Sequence, residues 1–295
     1  MSGKFNDLTI VIPTLNEAEA IGKVLEEILS KGIPRENIIV VDGGSTDGTI
    51  EIVKSKGIKL IIQEGKGKAD AIRTVTKYVR APYVILMDGD YTYPAEHIPE
   101  LYEKIKQGYD LVIGARQYSE NTQPFIYRLG NKILTKFFNM LFGVNLSDVL
   151  SGMYIVKTEI LKELMFETRN FGIESEIVAH VVSTTKKVAE IPIRYRQRQG
   201  RKKLGVRHGF YIFKEMIRLA WRYNPTFLIL ILASSMFILA LIIYINLIIL
   251  YDVEYYVKIL MGVMIILLGF QSLLLALLSL YIKSFEYRMM RRLAQ

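Results

Sequence analysis

Short apolar segments alternate with longer segments of helical periodicity along the first two thirds of the chain. Residues 8–12 form the first apolar segment, and Ile21, Leu25 and Ile28 then recur at helical spacing. Strands that alternate with helices are typical of βαβ units and a mostly parallel sheet. We therefore predict an α/β domain with strands at residues 8–12, 38–41, 60–62, 83–87, 111–113, 153–156 and 188–191. The predicted helices are residues 17–30, 49–56, 68–80, 96–107, 126–142, 158–165 and 174–184.

The last quarter of the chain has a different pattern, with two uncharged apolar segments at residues 226–250 and 259–282. About 20 apolar residues span the hydrocarbon core of a bilayer, so both segments are long enough to be transmembrane helices. Basic residues flank the pair on both outer sides, and the short connection between them is mildly acidic. The positive-inside rule predicts a membrane hairpin with both termini and the large N-terminal domain in the cytoplasm.

Residues 205–224, just before the first span, predict an amphipathic helix. Phe210, Phe213 and Ile217 fall on one face, while Lys214 and Arg218 lie off it. Such a helix could lie in the membrane interface, with its cations at the lipid headgroups. Packing of the same face on the soluble domain is the alternative.

The positive charge is concentrated in one segment. The whole chain has a net charge of +9, and residues 194–222 contain ten basic residues and one acidic residue. A basic segment of this kind indicates nucleic acid, anionic lipid or a phosphate-bearing substrate as a partner. The chain has no cysteine, which excludes disulfides, thiolate metal sites and a cysteine nucleophile.

Carboxylates follow the apolar strand at residues 83–87. Asp88 and Asp90 are spaced two residues apart at its end, and polar groups also follow the first two strands. Ligands bind outside the carboxyl ends of the strands in open α/β sheets, and paired carboxylates there suit a divalent cation that bridges to phosphates. A strand that ends in an Asp-Gly turn is the simpler alternative. A dinucleotide-binding glycine motif after the first strand and a P-loop are both missing from the sequence.

Three motifs together resemble the family 2 glycosyltransferases with the GT-A fold, and among them the dolichyl-phosphate mannose and glucose synthases. They are Ile12-Pro-Thr-Leu-Asn-Glu17, Val41-Asp-Gly-Gly-Ser-Thr-Asp-Gly-Thr49 and Asp88-Gly-Asp90. The resemblance covers residues 7–205 and favours an archaeal source. It implies a GT-A domain at residues 1–204. The apolar pattern and the charges add the interfacial helix at 205–224 and the membrane hairpin with its basic tail at 225–295.

The resemblance also implies roles for individual residues on the donor side. Asp88 and Asp90 would hold Mg²⁺ or Mn²⁺ on the diphosphate of a sugar nucleotide. Thr92 stands where the synthases often have a glutamine that can reach the metal. The residues expected to bind the donor nucleotide are Pro13, Leu15, Glu17, Val41, Asp42, Lys66, Lys68, Asp88 and Gly89.

The acceptor implied by the resemblance is dolichyl or another polyprenyl phosphate. A phosphate monoester is already anionic at neutral pH and needs no general base, but it needs cations, for which arginine is well suited. Asp90, Arg116, Arg128 and Arg198 are therefore expected to be catalytic, with Arg116 just past a strand end. The residues expected at the acceptor phosphate are Arg116, Arg128, Lys132, Arg198 and Lys203. The expected reaction is an inverting, single-displacement transfer.

Three functions remain open at this point. The first is hexose transfer to the lipid phosphate, with GDP-mannose favoured by family frequency and UDP-glucose next. The second is extension of a lipid-linked saccharide or polysaccharide, which would need a base such as Glu174 or Glu176; these two do not share a helix face. The third is a membrane-tethered basic protein without chemistry, which would leave Asp88 and Asp90 unexplained. We expect no nucleic-acid partner, and a homo-oligomer is compatible with the sequence.

Overall fold

The computed structural model describes residues 5–119, 122–164, 166–167, 172–200, 205–250 and 254–293. The chain forms two compact units, Met1–Arg218 and Leu219–Gln295. The first unit contains the sheet and the motifs discussed above, and the second contains the two long apolar helices. The three-part division at residues 204 and 224 stays a prediction.

In the described part of the first unit, seven strands form one sheet in the order β3-β2-β1-β4-β6-β5-β7. Strand β6 is antiparallel to its neighbours β4 and β5, and the other neighbouring pairs are parallel. The strands are β1 (Leu8–Thr14), β2 (Ile38–Asp42), β3 (Lys59–Ile62), β4 (Tyr83–Leu86), β5 (Leu111–Tyr118), β6 (Tyr154–Lys157) and β7 (Val188–Tyr195). The predicted mostly parallel α/β sheet is confirmed.

Helices connect the strands and continue into the second unit. Two short 3-10 helices, Arg35–Asn37 and Ala95–His97, precede β2 and α4. The α-helices are α1 (Ala18–Ser30), α2 (Thr49–Ser55), α3 (Lys68–Thr76), α4 (Ile98–Ile105), α5 (Phe125–Phe142), α6 (Thr158–Glu163), α7 (Ile173–Thr184), α8 (Val206–Tyr223), α9 (Pro225–Leu250) and α10 (Tyr255–Leu293).

The core forms because the central strands are apolar on both faces. Ile10 and Ile12 pack with Ile21 and Leu25 of α1 in one fully buried cluster. Val11, on the opposite face of β1, is buried as well, as expected for a sheet covered on both sides. The rigid sheet fixes the ends of β1, β2 and β4 beside one another.

Two strands extend further than the apolar pattern predicts. Strand β5 continues to Tyr118 and β7 to Tyr195, and the two pair in parallel over this whole length. The prediction that Arg116 lies just past a strand end is therefore wrong, because Arg116 lies inside β5, opposite Ile193. The second halves of both strands contain charged and aromatic residues, which do not follow the apolar pattern used to locate strands.

Among its described residues, the second unit contains two helices long and apolar enough to cross a membrane. The candidate spans are Pro225–Asn246, with mean hydropathy 2.9, and Tyr255–Ser279, with mean hydropathy 2.4. Inside this unit the Thr226 and Ser279 hydroxyls are hydrogen-bonded at 2.8 Å. At Gly269 an added Cβ would lie 2.9 Å from the Phe237 ring, so glycine permits the close helix contact.

Candidate active site

Side-chain hydrogen bonds of Asp42 connect the end of β1 to the loop after β2. Asp42 is fully buried, and its Oδ1 accepts hydrogen bonds from the Gly44 and Ser45 amides at 2.9 and 2.7 Å. Its Oδ2 accepts hydrogen bonds from the Ser45 hydroxyl at 2.6 Å and the Thr14 hydroxyl at 3.1 Å. Asp42 therefore organises the loop, and its contact with a nucleoside stays a prediction.

The other residues expected around the nucleoside surround this loop. Pro13 lies opposite Val41 in the register of β1 and β2. Val41 is fully buried, whereas Leu15, the first residue after β1, is exposed. Lys66 is exposed in the turn before α3, where its amide donates to Asp70.

Arg198 joins the first motif to the metal motif. Its Nη2 donates to Glu17 Oε1 at 2.7 Å, and its Nη1 lies 3.1 Å from Asp90 Oδ2. The segment after β7 is held beside Asp90, because the Gln199 amide donates to the Asp90 carbonyl at 3.2 Å. This hydrogen bond keeps the neighbouring Arg198 close to Asp90. The structure thus places the Arg198 guanidinium between the carboxylates of Glu17 and Asp90.

A local turn shapes the metal motif after Asp90. Tyr91 has a left-handed backbone conformation with φ 68°, which is uncommon for a residue other than glycine. Thr92 consequently donates to Asp90 Oδ1 from both its hydroxyl, at 2.5 Å, and its amide, at 3.1 Å. Burial raises the pKa of the Asp90 carboxyl, and the negative charge of Asp88 raises it further.

The two aspartates fit a divalent cation shared with a diphosphate. They follow the C-terminal end of β4, close enough for the charge of Asp88 to raise the pKa of Asp90, and carboxylate oxygens are the ligands that a hard divalent cation prefers. Within the described residues, no cluster of three or more His, Cys, Asp or Glu side chains surrounds a common point. Because Mg²⁺ commonly uses only one or two protein carboxylates, with phosphate and water completing its coordination, the pair is sufficient.

Lys68, the first residue of α3, links the metal motif to α7. Its Nζ lies 2.5 Å from Asp88 Oδ1 and 2.6 Å from Glu174 Oε1. Burial lowers the pKa of Lys68, but the two carboxylates outweigh it and hold that pKa well above its usual value. Gly152 packs against the other side of Asp88, since an added Cβ would lie 2.1 Å from Asp88 Oδ2.

Arg116 is buried and engaged by a carboxylate. Its Nε and Nη2 donate to the two carboxylate oxygens of Asp148 at 2.6 and 2.7 Å, and each side chain is only 7% exposed. The guanidinium also lies over the rings of Tyr118 and Tyr195, at 5.7 and 5.6 Å from their centroids. Arg116 thereby anchors the loop that carries Gly152 to Asp88.

Arg128, on α5, lies near Tyr118. Burial raises the pKa of the Tyr118 hydroxyl, and the positive charges of Arg116 and Arg128 both oppose this rise. The Arg128 Nε is buried and has no hydrogen-bond partner among the described residues. Lys132 is exposed one turn further along α5, and Lys203 lies outside the described residues.

The structure divides the expected site residues into two groups. One group meets around Asp88 and Asp90 and also contains Glu17, Lys68, Thr92 and Arg198, and in the other group Arg116 and Arg128 approach Tyr118. Sequence reasoning did not find Asp148 as the partner of Arg116, or Tyr154 beside Lys68 and Glu174. Arg116 and Tyr154 lie inside strands β5 and β6, and a residue inside a strand gives no sequence signal for a contact with a distant side chain.

Comparison with known proteins identifies the class. Residues 9–165 match the model of glycosyl transferase family 2, and the chain belongs to this family. It is a glycosyltransferase with a GT-A fold, as the motifs predicted.

Two relatives come from Haloferax volcanii. The chain is 34% identical over 224 residues to glycosyltransferase AglJ, covering 74% of this chain and 73% of the relative. It is 35% identical over 201 residues to a dolichyl-phosphate hexose transferase, covering 68% of this chain and 87% of the relative.

A solved structure shares the fold. Glucosyl-3-phosphoglycerate synthase from Mycobacterium tuberculosis, in complex with Mn²⁺, UDP-glucose and phosphoglyceric acid, superimposes with a TM-score of 0.61 at 20% identity. The match covers 73% of this chain and 79% of the synthase. At this identity the likeness establishes the fold alone.

Proposed function

We propose that this protein transfers a hexose from a sugar nucleotide to dolichyl phosphate or a related polyprenyl phosphate. A phosphate oxygen of the lipid attacks the anomeric carbon on the face opposite the nucleotide. The bond from that carbon to the diphosphate breaks, and the products are a lipid-phosphate-linked hexose of inverted configuration and a nucleoside diphosphate. Similarity to the Haloferax dolichyl-phosphate hexose transferase supports this acceptor.

The proposal depends mainly on one observation: both candidate bases, Glu174 and Glu176, are already engaged by other groups of the protein. Glu174 is paired with Lys68 at 2.6 Å, and Glu176 is fully buried and accepts the Glu167 amide at 2.9 Å. A hydroxyl acceptor would need a base that can accept its proton, whereas a phosphate acceptor needs none. The arrangement therefore favours phosphate over a saccharide hydroxyl.

On the donor side, Asp88 and Asp90 would hold Mg²⁺ or Mn²⁺. When bound, the cation offsets the negative charge that develops on the departing diphosphate. Arg198 and Thr92 orient Asp90, and Lys68 with Gly152 orients Asp88. GDP-mannose and UDP-glucose are the candidate donors, with GDP-mannose first.

On the acceptor side, Arg128 is the strongest candidate for binding the phosphate. Its Nε is buried without a hydrogen-bond partner among the described residues, and a guanidinium can bind phosphate through two nitrogens. Arg116 is paired with Asp148. Arg198 is paired with Glu17 and Asp90. Either of them would reach a phosphate only by exchanging its carboxylate partner.

The acceptor is expected in a membrane. Helices α9 and α10 contain the two candidate spans, and α5 carries exposed apolar side chains, including Phe125, Ile126 and Ile133, next to basic Lys132 and Lys136. Apolar residues beside cations suit the headgroup region of a bilayer. We propose that the catalytic unit and both termini are cytoplasmic.

A transfer assay tests this function. Detergent-purified protein receives labelled GDP-mannose or UDP-glucose, with dolichyl phosphate and Mn²⁺, in the presence or absence of EDTA. Label that moves from one donor into an acid-labile lipid, and fails to move with EDTA, is the expected result. Failure of both donors, in protein that binds a sugar nucleotide by calorimetry, would contradict the proposal and favour the saccharide-extending alternative.

A further inference from the structure

Lys68 occupies the position beside Asp88 where a cation is needed. Its ammonium lies 2.5 Å from Asp88 Oδ1 and 2.6 Å from Glu174 Oε1. The lysine and Glu174 side chains are only 20% and 13% exposed, so water screens these charges far less than at the surface. The three residues come from α3, the end of β4 and the first turn of α7.

The Asp88 carboxylate has little room to move away from Lys68. Gly152 contacts the carboxylate so closely that an added Cβ would lie 2.1 Å from Oδ2 and 3.1 Å from Oδ1. A divalent cation binds carboxylate oxygen at about 2.1 Å, so it would approach the ammonium of Lys68 closely at either oxygen. Two cations cannot share that space without strong repulsion.

Tyr154 supplies a second, independent observation in the same cluster. Its hydroxyl is buried and has no hydrogen-bond partner among the described residues. Burial raises the pKa of this hydroxyl well above its usual value, and the negative charge of Glu174 raises it further, while Lys68 opposes the rise. Buried hydroxyls are normally paired, so the Tyr154 hydroxyl is available to accept a hydrogen bond from a neighbour that moves toward it.

We propose that Lys68 is the resident counterion of Asp88 and competes with the divalent cation for it. When the metal binds Asp88, the ammonium leaves that carboxylate, remains paired with Glu174 and gains the Tyr154 hydroxyl as a partner. Glu174 is then a positioning residue, which tunes metal affinity by holding Lys68 without touching the metal. The inference rests on the proposed metal-dependent transfer.

Mn²⁺ alone is the probe, titrated into full-length protein in detergent while electron paramagnetic resonance reports free Mn²⁺. Lys68→Met removes the competing charge, and we expect about tenfold tighter Mn²⁺ binding from a unit charge this close. In Glu174→Gln the Lys68 ammonium keeps only Asp88 as a charged partner and competes more strongly for it. We therefore expect Mn²⁺ binding to be about threefold weaker. The double variant should resemble Lys68→Met, because Glu174 acts through the lysine.

The metal-free protein gives a second readout. Lys68→Met leaves Asp88 and Glu174 without a cation, so its melting temperature should fall and should recover with Mn²⁺ more than that of the parent. Tyr154→Phe should keep the metal-free melting temperature, because the hydroxyl has no partner there, and should weaken Mn²⁺ binding. Unchanged Mn²⁺ binding in Tyr154→Phe would remove Tyr154 from the mechanism.

Lys77→Met is the matched control, because Lys77 pairs with Glu64 at 2.5 Å on the surface, where the side chains are 56% and 65% exposed. It should leave Mn²⁺ binding unchanged. Tighter binding in Glu174→Gln, or no tightening in Lys68→Met, would overturn the inference while leaving the proposed transfer intact. A parent protein that transfers hexose but binds no Mn²⁺, with or without nucleotide, would overturn the metal dependence itself.

Discussion

At the scale of single residues, the carboxylates of the site are held by partners distant in sequence. Glu17 and Asp90 share Arg198, Asp88 and Glu174 share Lys68, and Asp148 holds Arg116. Removal of one partner from a buried ion pair leaves an uncompensated charge and is costly. The effects of substitutions here should therefore depend on which partner remains.

Arg128→Ala tests the acceptor assignment. The loss of a charge-assisted hydrogen bond to phosphate should raise KM for dolichyl phosphate by about 10- to 100-fold. KM for the sugar nucleotide should change little, because Arg128 lies near Tyr118 and not at the metal motif. Steady-state kinetics with each substrate varied in turn measures both constants.

Lys54→Ala is the control for this variant, since Lys54 is an exposed lysine on α2, outside the proposed lipid-contacting helix. Its kinetic constants should match those of the parent. An equal rise of both KM values in Arg128→Ala would refute the assignment of Arg128 to the acceptor.

Gly152→Ala tests the contact that holds Asp88. Its Cβ would lie 2.1 Å from Asp88 Oδ2, so the carboxylate must move, and misplacement by about 1 Å can reduce turnover about 100-fold. Metal-dependent turnover should fall accordingly, while circular dichroism should show an intact fold.

Gly130→Ala is the matched control on α5, where an added Cβ would have no neighbour within 4 Å. This variant should keep its activity. Normal turnover in Gly152→Ala would show that Asp88 tolerates displacement and would argue against its place in the metal site.

The residues of the site were partly predictable. The motifs identified Asp88 and Asp90 because two carboxylates directly after an apolar strand are visible as a sequence pattern. Their ion pairs were not predictable, since Lys68 and Glu174 are 106 positions apart in sequence and meet only in the folded chain. Tyr154 gave no signal, because a tyrosine in a strand is normally a core residue.

At the scale of elements, α5 combines a buried face with an exposed apolar one. Phe138 is fully buried, whereas Phe125, Ile126 and Ile133 are 69%, 54% and 56% exposed. An amphipathic helix with one buried face normally presents polar residues on the other. The exposed side chains therefore suit contact with lipid, as proposed above.

Combined substitution of Phe125 and Ile133 by serine tests this contact. We expect a rise of several-fold in KM for dolichyl phosphate in liposomes, because the helix loses apolar area buried in the bilayer. KM for a short, water-soluble polyprenyl phosphate should stay close to that of the parent.

Tyr78→Ser provides the comparison, since Tyr78 is an exposed aromatic residue elsewhere in the same unit. It should affect neither acceptor. A double variant that loses both acceptors equally would indicate a damaged site and count against lipid contact by α5.

The elements themselves were largely predictable, apart from their ends. Periodicity located each strand of the sheet, but β5 and β7 extend to Tyr118 and Tyr195. Their pairing with each other extends them through charged and aromatic residues, and this tertiary effect is absent from a local pattern. Helix α3 likewise ends at Thr76, before the predicted residue 80.

At the scale of the whole molecule, the chain combines a family 2 catalytic unit with two membrane-length helices. The apolar pattern predicted both helices, and α10 continues to Leu293, beyond the predicted span. Hydropathy alone predicted these two helices, because a segment long enough to span a bilayer needs a long uncharged sequence.

Orientation is testable because the chain contains no cysteine. Single variants Lys77→Cys, in the catalytic unit, and Glu254→Cys, between the spans, can be labelled with a membrane-impermeant maleimide. The positive-inside rule predicts labelling of Glu254→Cys in intact cells and of Lys77→Cys only after permeabilisation. The reverse pattern would contradict the cytoplasmic placement of the catalytic unit.

The most direct test of the central claim is a comparison of acceptors with the active donor. Purified protein is given dolichyl phosphate in one reaction and a dolichyl-diphosphate-linked saccharide in the other, and the labelled lipid is analysed by mild acid hydrolysis. The account predicts transfer to dolichyl phosphate alone, giving a lipid from which mild acid releases a single labelled hexose. Extension of the saccharide, with no transfer to dolichyl phosphate, would contradict it.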